Sequence, residues 1–133
     1  MFKVTSYLAL VLILFLSITT AGCVSKSNLP TNVISWSEAI SNGKPTLAEF
    51  GRGTCIPCKQ MKPILEELSK EYSGKLNVLT IDVDDYGTLT RQYNISLIPT
   101  QIFLDRDGKE VSRHVGFFPK TEIIAELTKI SVE

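Results

Sequence analysis

Cys55 and Cys58 stand three residues apart in the stretch Thr54-Cys55-Ile56-Pro57-Cys58-Lys59. Where a loop turns into a helix, two cysteines at that spacing share one face, close enough for a disulfide to open and close with little backbone movement. The first of them lies at the helix N-terminus, where unpaired N–H groups and the helix dipole favour thiolate over thiol, so Cys55 is the expected nucleophile. Pro57 suits an early helical position, because its missing N–H has no helical acceptor there. Lys59 adds a solvated positive charge nearby. Two other chemistries use the same pair: a static structural disulfide, and half of a metal site. Zinc normally takes four ligands, and beyond the pair the chain offers only Cys23 and its one histidine, His114, so neither a metal nor any other cofactor is expected. Two thiolates also suit a soft ion such as Cu(I), which keeps a non-catalytic binding module or adaptor as an alternative. His114 itself reads as a packed or exposed strand residue.

The elements that must position this pair follow from periodicity. Thr46 to Phe50 is a short apolar run interrupted by Glu49 and reads as a buried strand ending at Gly51, followed by a loop with Gly51 and Gly53. From Cys58 to Tyr72 the apolar Met61, Ile64, Leu65 and Leu68 recur at helical spacing, with Lys59, Lys62, Glu66, Glu67 and Lys70 on the other face. Ahead of the strand, Ser35-Trp36-Ser37-Glu38 is a capping-box pattern opening a short helix to about Asn42, with Trp36 expected in the core. Downstream, Leu76 to Val83 reads as a strand, Thr88 to Tyr93 as a short helix and Gln101 to Leu104 as a third strand. Asp105-Arg106-Asp107-Gly108 then turns the chain into Lys109 to Val115 as an antiparallel hairpin, and Lys120 to Ile130 closes it as an amphipathic helix. The order β-α-β-α-β-β-α predicts an α/β domain: one mixed central sheet flanked by helices, ending in a β-hairpin and a C-terminal helix.

The chain has 133 residues, with 14 Lys+Arg balanced by 14 Asp+Glu, which fits one small domain and leaves no basic field for nucleic acid. A monomer is expected. The mean hydropathy of +0.12 comes from crowding of apolar residues at the start of the chain. Met1, Phe2 and Lys3 form a short charged region, and Val4 to Ile18 carries no charge, which together read as a signal peptide over residues 1–22. Thr20-Ala21-Gly22-Cys23 resembles the lipobox of bacterial lipoproteins, with Thr20 where Leu is usual, and implies lipidation of Cys23. Residues 23–34 are then a lipidated cysteine and linker, and 35–133 the folded domain. Lipidation also accounts for the odd cysteine. Val4 to Val24 is long enough to cross a bilayer, so an uncleaved anchor and simple secretion are the alternatives. All three place the domain outside the cytoplasm.

Leu47-Ala48-Glu49-Phe50, then Cys55-Ile56-Pro57-Cys58-Lys59, then Pro63, then Ile98-Pro99-Thr100 together resemble the thioredoxin family, over about Ser35 to Ile130. The resemblance implies the thioredoxin fold and a redox-active Cys55–Cys58 disulfide. It implies that Pro99 is a cis-proline facing the cysteine pair and that Ile98 offers its backbone to an extended substrate segment. It implies that Glu49, six residues before the first cysteine, takes the place of a buried acid that handles the proton of Cys58. Thr54, Ile56 and Pro57 complete the expected substrate-contacting surface. Three departures accompany the match: Thr54 replaces a tryptophan, Ile56-Pro57 replaces Gly-Pro, and Thr80 stands where a lysine is often found near the acid. The implied activity is thiol-disulfide oxidoreduction, reducing disulfides of extracytoplasmic proteins. An oxidase or isomerase of the same fold is the alternative. Implied partners are proteins bearing disulfides or dithiols, and a membrane thiol relay as electron donor.

Overall fold

Strand β1, Thr46–Gly51, is buried along its whole length because it lies in the middle of a sheet with both faces covered. The computed structural model describes residues 34–132. The expected signal peptide, Cys23 and all of the linker but Ile34 lie outside the described residues. Around β1 the chain runs α1 (Trp36–Ala39), β1, α2 (Ile56–Glu71), β2 (Asn77–Asp82), α3 (Gly87–Gln92), β3 (Thr100–Leu104), β4 (Glu110–Val115) and α4 (Lys120–Lys129). The sheet order is β2-β1-β3-β4. β1 pairs parallel with β2 and antiparallel with β3, and β3 pairs antiparallel with β4, which gives the expected mixed sheet. Among the described residues no helix is long and apolar enough to cross a membrane.

The alternation of side chains along β1 divides the core in two. Leu47 faces Met61, Leu65 and Leu68 of α2 and Ile123 and Leu127 of α4. Ala48 and Phe50 face the other way, toward Ala39, Leu79, Ile81 and Ile102, under α1 and α3. Trp36 joins this second core half-buried, with its ring edge-on to Phe50 at 6.2 Å and to Tyr93 at 5.1 Å. β4, at the sheet edge, alternates between half-buried and exposed residues.

Two boundaries differ from the periodicity by more than one residue. α1 ends at Ala39, three residues short of Asn42, because the side chain of Asn42 is used elsewhere: its Oδ1 accepts from Lys44 N–H at 3.1 Å and its Nδ2 donates to Asn77 Oδ1 at 3.1 Å. Asn42 thus makes a turn in place of a helical residue. α2 begins at Ile56, two residues before Cys58, since Pro57 in its first turn needs no intrahelical acceptor. The hairpin turn is tied by Asp105 Oδ1, which accepts from the N–H groups of Asp107 and Lys109, both at 3.0 Å. Gly108 follows at φ +74, where a Cβ would also stand 3.0 Å from the carbonyl oxygen of Ile40.

Asn77 holds the entrance to β1. It is buried, and its Nδ2 donates to Ala39 O at 2.9 Å, Asn42 Oδ1 at 3.0 Å and Thr46 Oγ1 at 3.1 Å, joining α1 and the following turn to the start of β1 and β2. Removing one side of a buried network leaves the other side desolvated and unpaired. Asn77→Ala is therefore expected to cost about 2 kcal/mol of unfolding free energy. A shifted urea midpoint with unchanged slope checks it.

Candidate active site

At its C-terminal end β1 delivers Gly51 to a tight loop, in which Cys55 N–H donates to Arg52 O at 3.0 Å, and the chain turns directly into α2. Cys55 is the N-cap of that helix, in extended backbone conformation, and its Sγ accepts from Cys58 N–H at 3.3 Å. Cys55 and Cys58 form a disulfide with their Cα atoms 5.3 Å apart. The two sulfurs differ in access: Cys55 is half-buried, whereas Cys58 is only 8% exposed and packs against the core. Around the pair, Thr54 is exposed, Ile56 is 72% exposed and Pro57 is half-buried.

Below the pair lies Glu49, 2% exposed, paired in register with Thr80 on β2 and Gln101 on β3. Its Oε1 has no hydrogen-bond partner, and burial raises its pKa from 4.5 to about 7. Gly51, two residues on and so on the same face of β1, is what leaves the carboxyl room. A Cβ there would lie 2.9 Å from Glu49 Oε1 and 3.2 Å from Cys58 Sγ, so the acid and the second sulfur converge on space that only glycine leaves open. In the sequence Gly51 reads as a strand end; its second role needs the approach of α2, which no local pattern records.

The Ile98–Pro99 peptide bond is cis, and Pro99 is buried. Its loop is braced on both sides, by Thr100 Oγ1 donating to Leu97 O at 2.7 Å and by Gly116 N–H donating to Pro99 O at 2.8 Å. Ile98 lines a cleft of about 320 Å³ together with Arg52, from the loop that leads to Cys55, and Asp84. The structure thus brings Ile98, the residue before the cis-proline, and Arg52, three residues before Cys55, to one cleft. Arg52 and Asp84 meet at its rim in a two-pronged ion pair, with both contacts at 2.6 Å. His114 serves the packing: its ring stacks on Phe118 with centroids 3.8 Å apart, and its Nε2 lies 3.2 Å from Phe117 O. Among the described residues no group of three or more His, Cys, Asp or Glu converges as metal ligands would.

A sequence profile of the family described as Thioredoxin matches residues 27–129. The chain belongs to the thioredoxin family. It is 40% identical over 81 residues to thioredoxin C-2 of Corynebacterium nephridii, spanning 61% of this chain and 74% of that protein. It is 36% identical to the thioredoxin of Alicyclobacillus acidocaldarius, spanning 70% of this chain and 88% of that one. Its fold is similar to that of the germline-specific thioredoxin Deadhead of Drosophila melanogaster, with a TM-score of 0.63 and 31% identity over 71% of this chain and 87% of that one. With the cysteine pair at disulfide distance, this member of the family is a thiol-disulfide oxidoreductase whose substrates are disulfide-containing proteins.

The raised pKa of Glu49 has a consequence for stability. The unfolded chain ionises this carboxyl near pH 4.5 and the folded protein only near 7, so its contribution to stability is full below pH 4.5 and is lost as pH rises through 7. Between pH 4 and pH 8 the wild type should lose about 3 kcal/mol that Glu49→Gln keeps. Urea unfolding of both proteins at the two pH values tests it.

Proposed function

We propose that the protein is an anchored reductase of protein disulfides outside the cytoplasm. The observation that carries the chemical part is the asymmetry of the pair: an accessible Cys55 capping α2, and a buried Cys58 sharing its enclosure with Glu49. In the reduced form, the Cys55 thiolate attacks one sulfur of a substrate disulfide seated beside Ile98 and Pro99, and the other substrate sulfur leaves as a thiolate. The Cys58 thiol then gives its proton to the Glu49 carboxylate, and its sulfur attacks Cys55. The Cys55–Cys58 bond forms as the mixed disulfide breaks, and the substrate departs with both sulfurs reduced. A buried acid whose pKa lies near neutrality suits that proton transfer.

Thr54, Ile56 and Pro57 form the substrate-facing rim in this reading. Ile56 at 72% exposure and Leu97 at 64% support docking of an apolar extended segment. The Pro57-Cys58-Lys59 half of the motif, which resembles reducing thioredoxins, supports the direction. Anchoring rests on Thr20-Ala21-Gly22-Cys23 behind an uncharged apolar stretch, and outside the cytoplasm the oxidised pair draws its electrons from a membrane thiol relay.

The reduction potential of Cys55–Cys58, titrated against a dithiol buffer, is expected near the thioredoxin value of about −270 mV; a value near about −120 mV would make the protein an oxidant and overturn the direction. Cys58→Ser should accumulate mixed disulfides with client proteins in cells, since nothing remains to resolve them. Anchoring is tested separately. Cys23→Ser should move the protein from the membrane fraction to the soluble one or block its processing, and a variant that is processed and fractionates as wild type refutes the lipid anchor.

A further inference from the structure

On the sheet face covered by α2 and α4, each strand contributes one residue to a single row: Thr80, Glu49, Gln101 and His114 are partners in register. Side chains directly opposite on neighbouring strands have Cβ atoms about 5 Å apart. The two inner members are buried, Glu49 at 2% exposure and Gln101 at 0%. Each also carries a buried oxygen without a partner, Glu49 Oε1 and Gln101 Oε1. A buried acceptor left unpaired is costly, and two acceptors cannot satisfy each other. A proton on Glu49 would turn its carboxyl into a donor for the neighbouring acceptor.

The amide of Gln101 is not free to turn. Its Nε2 donates to Gly116 O at 3.3 Å, and because a carbonyl accepts only a donor, the nitrogen must stay on that side and the oxygen on the other. The same glycine donates its N–H to Pro99 O at 2.8 Å, so the turn that orients the amide also braces the proline loop. Around Glu49 the facing groups are Cys58 from α2, uncharged Thr80 from β2 and uncharged Gln101 from β3, with His114 one strand beyond. Burial is the cause of its raised pKa, and no charged side chain among the described residues adds to it.

We propose that Gln101 is a positioning residue for the exchange reaction: its Oε1 accepts the proton carried by neutral Glu49 and holds the carboxyl in place beneath Cys58. The inference rests on the reading of Glu49 as the proton acceptor of Cys58. In the cycle, the proton leaves Cys58 Sγ, binds a Glu49 carboxylate oxygen and is shared with Gln101 Oε1. It returns to solvent after the Cys55–Cys58 bond has formed.

The test uses the full-length, isotope-labelled protein in detergent micelles and in its disulfide form, where no thiol of the pair titrates. The side-chain amide resonances of Gln101 should move with pH at the same midpoint as the Glu49 carboxyl carbon; amide resonances that stay still through that titration overturn the proposal. Gln101→Met keeps the length of the side chain and removes the acceptor, which weakens the neutral acid. The Glu49 midpoint should then fall by about one pH unit, a tenfold change in its protonation equilibrium. An unchanged or raised midpoint overturns the proposal, because a space-filling side chain or an amide that donates to the carboxylate gives those results. If the methionine variant does not fold, the wild-type amide titration decides alone. Failure of the Glu49 reading registers elsewhere, as a Glu49→Gln exchange rate equal to wild type, and would overturn the link to exchange.

Discussion

Glu49 has a hydrogen-bonded strand on each side and α2 packed above it, and this enclosure sets the terms for the rest of the redox end. A carboxylate shut off from water is expensive, so the group stays largely protonated up to about pH 7. The enclosure exists because β1 is central and both faces of the sheet are covered, which in turn needs the apolar faces of α2 and α4 on one side and the Trp36–Phe50–Tyr93 cluster on the other. The same geometry brings α2 so close to the end of β1 that position 51 has room only for glycine.

Access then sorts the two sulfurs. Cys55 caps the helix at the surface and Cys58 lies one turn further in, against the core, so an incoming protein reaches the first and not the second. A cleft between the Arg52 loop and Ile98 opens at the same end of the sheet. The Arg52–Asp84 ion pair at its rim is exposed, so it shapes the cleft more than it stabilises the fold.

The helices and strands were legible because their signals are local: the spacing of Met61, Ile64, Leu65 and Leu68, the apolar run of β1, and the Asp105–Gly108 turn. The cysteine pair announced a disulfide through its spacing, and the positions of Glu49 and Pro99 came from the family pattern. Asn77 and Gln101 carry no such local signal. Each is one polar residue in an apolar strand, and its meaning depends on which strand lies opposite, a long-range fact that no window of sequence contains. Gly51 reads as a strand end, and β1 does end there, but its lack of a Cβ also matters because of what approaches it. The early end of α1 has the same origin, since Asn42 bonds to Asn77, far along the chain.

The poise of a dithiol pair follows from which form the protein stabilises, and a strongly stabilised reduced form makes an oxidant. At Cys55 the groups placed to stabilise a thiolate are few: the helix N-terminus, the Cys58 N–H, which lies 3.3 Å from the sulfur in the disulfide form, and the exposed Lys59. At Cys58 the environment works the other way, because a thiolate there would share its enclosure with the Glu49 carboxylate, and two like charges that close disfavour each other. The reduced pair must therefore keep a proton on Cys58 or on Glu49, while the disulfide carries no charge and makes no such demand. A site that burdens its dithiol and leaves its disulfide unburdened tends to give electrons away. With Thr80 in place of a lysine, no cation from β2 relieves that burden, so the neutral acceptor on β3, Gln101, is the polar group left to share the proton.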